Sequence, residues 1–184
     1  MANIENKNFT FNEMRVHVPV CTHKDPQKVL IIGSVDEEFK SEMEKHPVEA
    51  EYGEMELLTS KNEQEFDIII LAKDKIDPML MANINKILKA DGILTIKTPS
   101  YHKDEQELKN NLTLLGESFW IAMPYSFGHN TAILASKKYH PTADINLQRS
   151  DLLDDLNYYS TEIHHASFVF PAHIHQSLTG IAKR

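Results

Sequence analysis

Three short apolar runs, rich in β-branched residues, constrain this chain most. Residues 29–33 read Val-Leu-Ile-Ile-Gly, residues 67–71 Asp-Ile-Ile-Ile-Leu and residues 93–97 Ile-Leu-Thr-Ile-Lys. Such runs suit strands buried on both faces of a parallel sheet, and they are too short for a helical bundle. Helical spacing fills the intervals. Residues 36–46 carry Phe39 and Met43 four apart and stop at Pro47. Residues 78–90 begin at Pro78, place Leu80, Ile84, Ile87 and Leu88 on one stripe, and are closed by Asp91-Gly92. Residues 104–115 form a third helical pattern that ends at Gly116. Residues 119–123 and 131–135 then read as an antiparallel pair, and 144–157 as a polar surface helix. The alternation predicts an α/β doubly wound, mostly parallel sheet with an antiparallel C-terminal edge.

Length and charge narrow the function classes. At 184 residues the chain is one domain, 1–184, with enough material for a core. A net charge of −8 without a basic stripe gives nucleic-acid binding little support. Cys21 is the single cysteine, so no internal disulfide forms. The polar first eight residues lack the apolar run of a secretory signal, and no stretch is long enough to span a membrane. The expected location is the cytoplasm.

Two landmarks at opposite ends carry a resemblance. Asn12-Glu13-Met14-Arg15-Val16-His17-Val18-Pro19, the run through Gly33, and Tyr158-Tyr159-Ser160-Thr161-Glu162-Ile163-His164-His165 with Phe168 and Pro171 resemble the spermidine synthase family of aminopropyltransferases. The resemblance covers most of residues 9–175. It implies a Rossmann-like fold of the S-adenosylmethionine-dependent methyltransferase type, decarboxylated S-adenosylmethionine as co-substrate, and a polyamine such as putrescine as acceptor. It also implies a homodimer. On the same resemblance, only a remnant of the family's N-terminal β-rich domain is expected, at 9–19.

Aminopropyl transfer needs a cradle for a sulfonium donor, a base for the attacking ammonium, and acidic and aromatic groups around the diamine. The resemblance assigns these residue by residue. Gly33 and Asp36 remain of the glycine-rich donor loop, but Val35, Glu37 and Glu38 replace glycines, and valine resists positive φ. An ordinary strand-to-helix turn is the competing reading. Glu54 aligns with the acid that grips the ribose, or is a solvated surface residue. Only residues 55–66 separate it from the next strand, where the family carries several tens of residues that build the adenine wall.

The catalytic carboxylate aligns with Ala72 and a second family aspartate with Lys75. Asp74 is the substitute candidate, whereas Asp77 before Pro78 reads as a helix N-cap. Tyr125 falls on the tyrosine beside the attacking amine, or is a half-buried loop aromatic. Phe11 and Asn12 replace a tyrosine-histidine pair of the substrate pocket, and Glu162 and His164 are further pocket candidates. His164, His165, His173 and His175 invite a metal reading, with the last two on one face of a strand, but no dedicated acidic partner completes a site. No metal is expected. The inherited reaction is therefore expected to be weak or lost. Two alternatives stand beside it: a non-catalytic binding protein on the same scaffold, and another nucleoside-dependent transferase.

Overall fold

The computed structural model describes residues 8–72 and 75–184. Six strands form one sheet: β1 Lys28–Ile32, β2 Glu49–Gly53, β3 Phe66–Leu71, β4 Leu88–Thr98, β5 Ile121–Phe127 and β6 Asn130–Ser136. Their spatial order is β2-β1-β3-β4-β6-β5. The first four are mutually parallel, β6 runs antiparallel to β4, and β5 antiparallel to β6. This is the mostly parallel sheet with an antiparallel edge that the alternation of apolar runs and helical segments predicts, and it is Rossmann-like as the resemblance implies.

Strand residues alternate between two cores. Leu30, Ile32, Ile69, Leu71, Leu94 and Ile96 face the layer made by α4 (Pro78–Ile87), α5 (Glu105–Gly116) and α8 (Ala172–Ser177). Val29, Ile31, Ile68, Ile70 and Ile93 face α1 (Phe9–Thr22) and α2 (Glu37–Glu44). All eleven of these aliphatic side chains in β1, β3 and β4 are 0% exposed; full burial of such a side chain is worth about 1.5–3 kcal/mol. Three short helices complete the fold: α3 Leu57–Ser60, α6 Leu147–Asp151 and α7 Thr161–Ser167. Residues 55–66 hold only the single turn of α3, as their length dictates.

Four local expectations change. Residues 9–19, expected as a remnant of a β-rich domain, lie inside helix α1. Its side chains from Asn12 to Thr22 are all buried, so no polar face advertises the helix, and Val16, Val18 and Val20 mimic strand alternation. Helix α4 stops at Ile87, and β4 already starts at Leu88. Phe66 pairs with Leu88 and Ile68 with Ile93, so residues 89–92 form a bulge in the strand rather than a helix end. Within 144–157 only Leu147–Asp151 is helical. His173 and His175 lie in α8, not on a strand, so they do not share a strand face.

Candidate functional site

In an open α/β sheet the crevice lies where strand order reverses, at the carboxyl ends of the strands. Here that point is between β1 and β3, because β2 flanks β1 on one side and β3 on the other. Gly33 leaves β1 there with φ +102°, donating its N–H to Gly53 O at 2.9 Å. Ala72 leaves β3 beside it and donates its N–H to Ile32 O at 2.8 Å. A Cβ at position 33 would stand 3.1 Å from the Ala72 Cβ. Glycine is thus required at 33 both for its backbone angle and for the close approach of residue 72.

Helix α1 covers this edge. Asn12, 2% exposed, donates from Nδ2 to Asp36 Oδ1 at 2.9 Å. The same oxygen accepts the Phe39 N–H at 2.8 Å, so Asp36 is the N-cap of α2. With Asn8, Phe11, Ser34 and Val35 these two residues line a pocket of about 230 Å³. One turn along α1, the buried Arg15 donates from Nη2 to Leu71 O at 2.7 Å. Its guanidinium sits 5.3 Å from the centroid of the Phe11 ring, and Lys97 Nζ is 6.0 Å from the same centroid. The aromatic surface at the pocket is therefore already engaged by two cations of the chain itself.

Tyr125 lies in the row that runs from Lys97 through Ala132 to β5. It is not a half-exposed loop residue but 0% exposed, packed against Phe127 and Phe168 with ring centroids 5.4 and 5.2 Å away. Burial pushes its hydroxyl well above the ordinary phenol range, and that oxygen makes no hydrogen bond among the described residues.

Other candidates lie apart from the pocket. Glu54 follows β2 and is exposed. Asp74 is outside the described residues. Asp77 caps α4, accepting the Leu80 N–H at 2.9 Å. Glu162 is exposed in the first turn of α7; its own N–H and the Ser160 hydroxyl, 2.8 Å away, hold its carboxyl below the usual range. His164 is buried between Tyr159 Oη and Pro141 O, each 2.9 Å away, and burial lowers its pKa to about 4. Neither Glu162 nor His164 lines the pocket beside Phe11.

The sequence reading gave no role to Glu13, which joins the two landmarks. Fully buried, its carboxylate accepts the N–H groups of Asn157, Tyr158 and Tyr159 at 2.8, 2.8 and 2.7 Å. The Glu-Met and Tyr-Tyr-Ser signatures are therefore two halves of one clamp. Arg15 and Lys97 were also missed, although a charge inside an apolar run is itself a signal.

Comparison with known proteins agrees with this architecture. Residues 8–57 match the spermine/spermidine synthase domain. A polyamine aminopropyltransferase of Thermoanaerobacter sp. (strain X514) is 31% identical, over 91% of this chain and 77% of its own length. That alignment runs over 218 positions, more than the 184 residues present here, so the relative carries internal residues for which this chain has none. The spermidine synthase from Thermotoga maritima superposes with a TM-score of 0.84 at 25% identity, covering 95% of this chain and 76% of that one. A spermidine synthase in complex with the transition-state analogue AdoDATO superposes with a TM-score of 0.85 at 24% identity and the same two coverages. Sheet order, the paired landmarks and sequence identity lead to one assignment: the chain belongs to the polyamine aminopropyltransferase (spermidine synthase) family.

Proposed function

We propose that this protein keeps the spermidine synthase scaffold while aminopropyl transfer from decarboxylated S-adenosylmethionine to putrescine has become very slow or has been lost. The observation that carries this reading is Ala72, at the carboxyl end of β3 and against Gly33. The family resemblance puts the proton-accepting carboxylate there, and a methyl group accepts no proton. The described carboxylates nearby are committed elsewhere: Asp36 caps α2 and holds Asn12, and Glu13 holds three backbone N–H groups. Arg15 and Lys97 already lie against the Phe11 ring, the aromatic face that would otherwise be open to a diamine ammonium. The short 55–66 connection supports loss of adenine contacts.

In this reading the crevice at Gly33 and Asp36 is a reduced nucleoside pocket, and the protein is a binding member of its family in the cytoplasm. Melting-point shifts test it. A ligand that prefers the native state raises the melting temperature, by about 2.7 kcal/mol of stability at a hundredfold excess over Kd. Decarboxylated S-adenosylmethionine and methylthioadenosine are expected to give shifts far below those of the Thermotoga maritima spermidine synthase measured alongside. Equal shifts in the two proteins would overturn the claim of a reduced pocket. A response confined to S-adenosylhomocysteine would replace it with a methyltransferase reading.

A further inference from the structure

At the opposite, amino-terminal end of the sheet three potential ligands converge. His23, Asp67 and Asp91 each present an atom such that all three atoms lie within 4.8 Å of one another. His23 caps the C-terminus of α1, Asp67 opens β3, and Asp91 lies in the β4 bulge. None of these takes part in the crevice at Gly33. His23 is only 2% exposed, and its Nε2 makes no hydrogen bond among the described residues; its nearest carboxylate atom is Asp91 Oδ1 at 3.9 Å.

The surrounding groups orient both carboxylates. Asp67 Oδ2 accepts the N–H groups of Gln27 and Lys28 at 2.9 and 2.8 Å, while Oδ1 meets Lys89 Nζ at 2.8 Å. Asp91 Oδ2 accepts the Tyr139 hydroxyl at 2.9 Å, which leaves Oδ1 on the His23 side. Tyr139 also places its ring against the His23 ring, with centroids 4.8 Å apart, and so fixes two of the three groups. Hydrogen bonds of this kind to the far side of each ligand are what hold metal ligands in place.

We propose that His23, Asp67 and Asp91 bind a divalent first-row metal ion of the zinc class, clipping the end of α1 to the amino edge of the sheet. One imidazole and two carboxylates are a donor set that such ions accept, with one position left for water. Ligand atoms about 2.0–2.2 Å from a tetrahedral ion lie about 3.3 Å apart, so the cluster must contract by about 1.5 Å at most. Asp91 and Lys89, with side chains 35% and 33% exposed, supply the freedom and the entry path. Binding moves the Lys89 ammonium off Asp67 and the ring proton of His23 onto Nδ1. The latter step gives up the bond from Asp25 N–H, which at 3.2 Å is already long. Burial favours the neutral imidazole that the metal requires.

The test uses the full chain, stripped of metal with a chelator and titrated with Co²⁺. One ion per chain is expected, with the visible bands of tetrahedral cobalt, displaced by Zn²⁺, and Zn²⁺ should raise the melting temperature. Asp91→Asn, at a half-exposed position, should keep the native circular dichroism and weaken binding at least about tenfold. His23→Gln should abolish the bands. His173→Gln, which alters an exposed histidine stacked near His102, should change nothing. The proposal is overturned if no bands appear, if they survive Asp91→Asn undiminished, or if His173→Gln removes them. Should His23→Gln fail to fold, Asp91→Asn decides alone.

Discussion

Removing the Glu13 carboxylate tests whether the two signature segments form one clamp. In Glu13→Ala the N–H groups of Asn157, Tyr158 and Tyr159 lose their acceptor. Asn157 is exposed, so its N–H can turn to water, but Tyr158 is half-buried and Tyr159 only 3% exposed. A buried donor left unsatisfied costs about 1–3 kcal/mol, so two of them give about 3 kcal/mol. That is a large share of a typical stability of about 5–15 kcal/mol. Glu13→Gln keeps one carbonyl oxygen and should lose about half as much. Urea unfolding followed by circular dichroism measures both, with the midpoint falling by about 1–1.5 M for the alanine variant if m is about 2–3 kcal/mol/M. Amide exchange at Tyr158 and Tyr159 should speed up in the native state. A loss below about 1 kcal/mol for Glu13→Ala, no larger than a surface substitution gives, would refute the clamp.

Gly33→Ala combines a φ of +102° with a Cβ 3.1 Å from Ala72 and should cost about 1–3 kcal/mol, read by the same urea titration. Acid should destabilise the fold through its buried histidines. Burial lowers the pKa of His17, takes His46 to about 3 and takes His164 to about 4. The unfolded chain therefore binds more protons below pH 6.5. Stability is complete above that value and falls as pH drops towards 4, by up to about 1.4 kcal/mol per pH unit for each such histidine. A flat urea midpoint between pH 7 and pH 5 would contradict this. Ala72→Asp restores a carboxylate beside Gly33 and should raise aminopropyl transfer, since a positioned base contributes about 10²–10⁴-fold. Unchanged turnover would place the defect in the nucleoside pocket instead.

The sheet was legible because its central strands are buried on both faces and so read as unbroken apolar runs. Helices α2 and α5 were legible because each has a wet face, and capping aspartates, Asp36 and Asp104, mark their starts. Helix α1 was hidden by the opposite circumstance: buried all round and carrying Pro19, it offers neither amphipathic period nor polar face. The β4 bulge was hidden because Leu88 fits the helical stripe of α4, and Asp91-Gly92 looks like a helix stop. At the site, Asp36, Phe11 and Asn12 line one pocket, and Gly33 directly precedes its Ser34 wall. The separation of Glu162 and His164 from that pocket was not readable, because it depends on how the segment after α6 folds back onto α1. The His46–His17–Glu42 chain, in which His17 contacts both partners at 2.9 Å, was missed for the same reason: its members come from separate segments.

Aminopropyl transfer by the unaltered protein, measured with labelled decarboxylated S-adenosylmethionine and putrescine, tests the central claim most directly. The account predicts spermidine formation at least about 10²-fold below that of the Thermotoga maritima spermidine synthase assayed in parallel, the least that a missing base should cost. Turnover comparable to that enzyme, and abolished by Asp74→Asn, would contradict it by showing that another carboxylate has taken over the work of position 72.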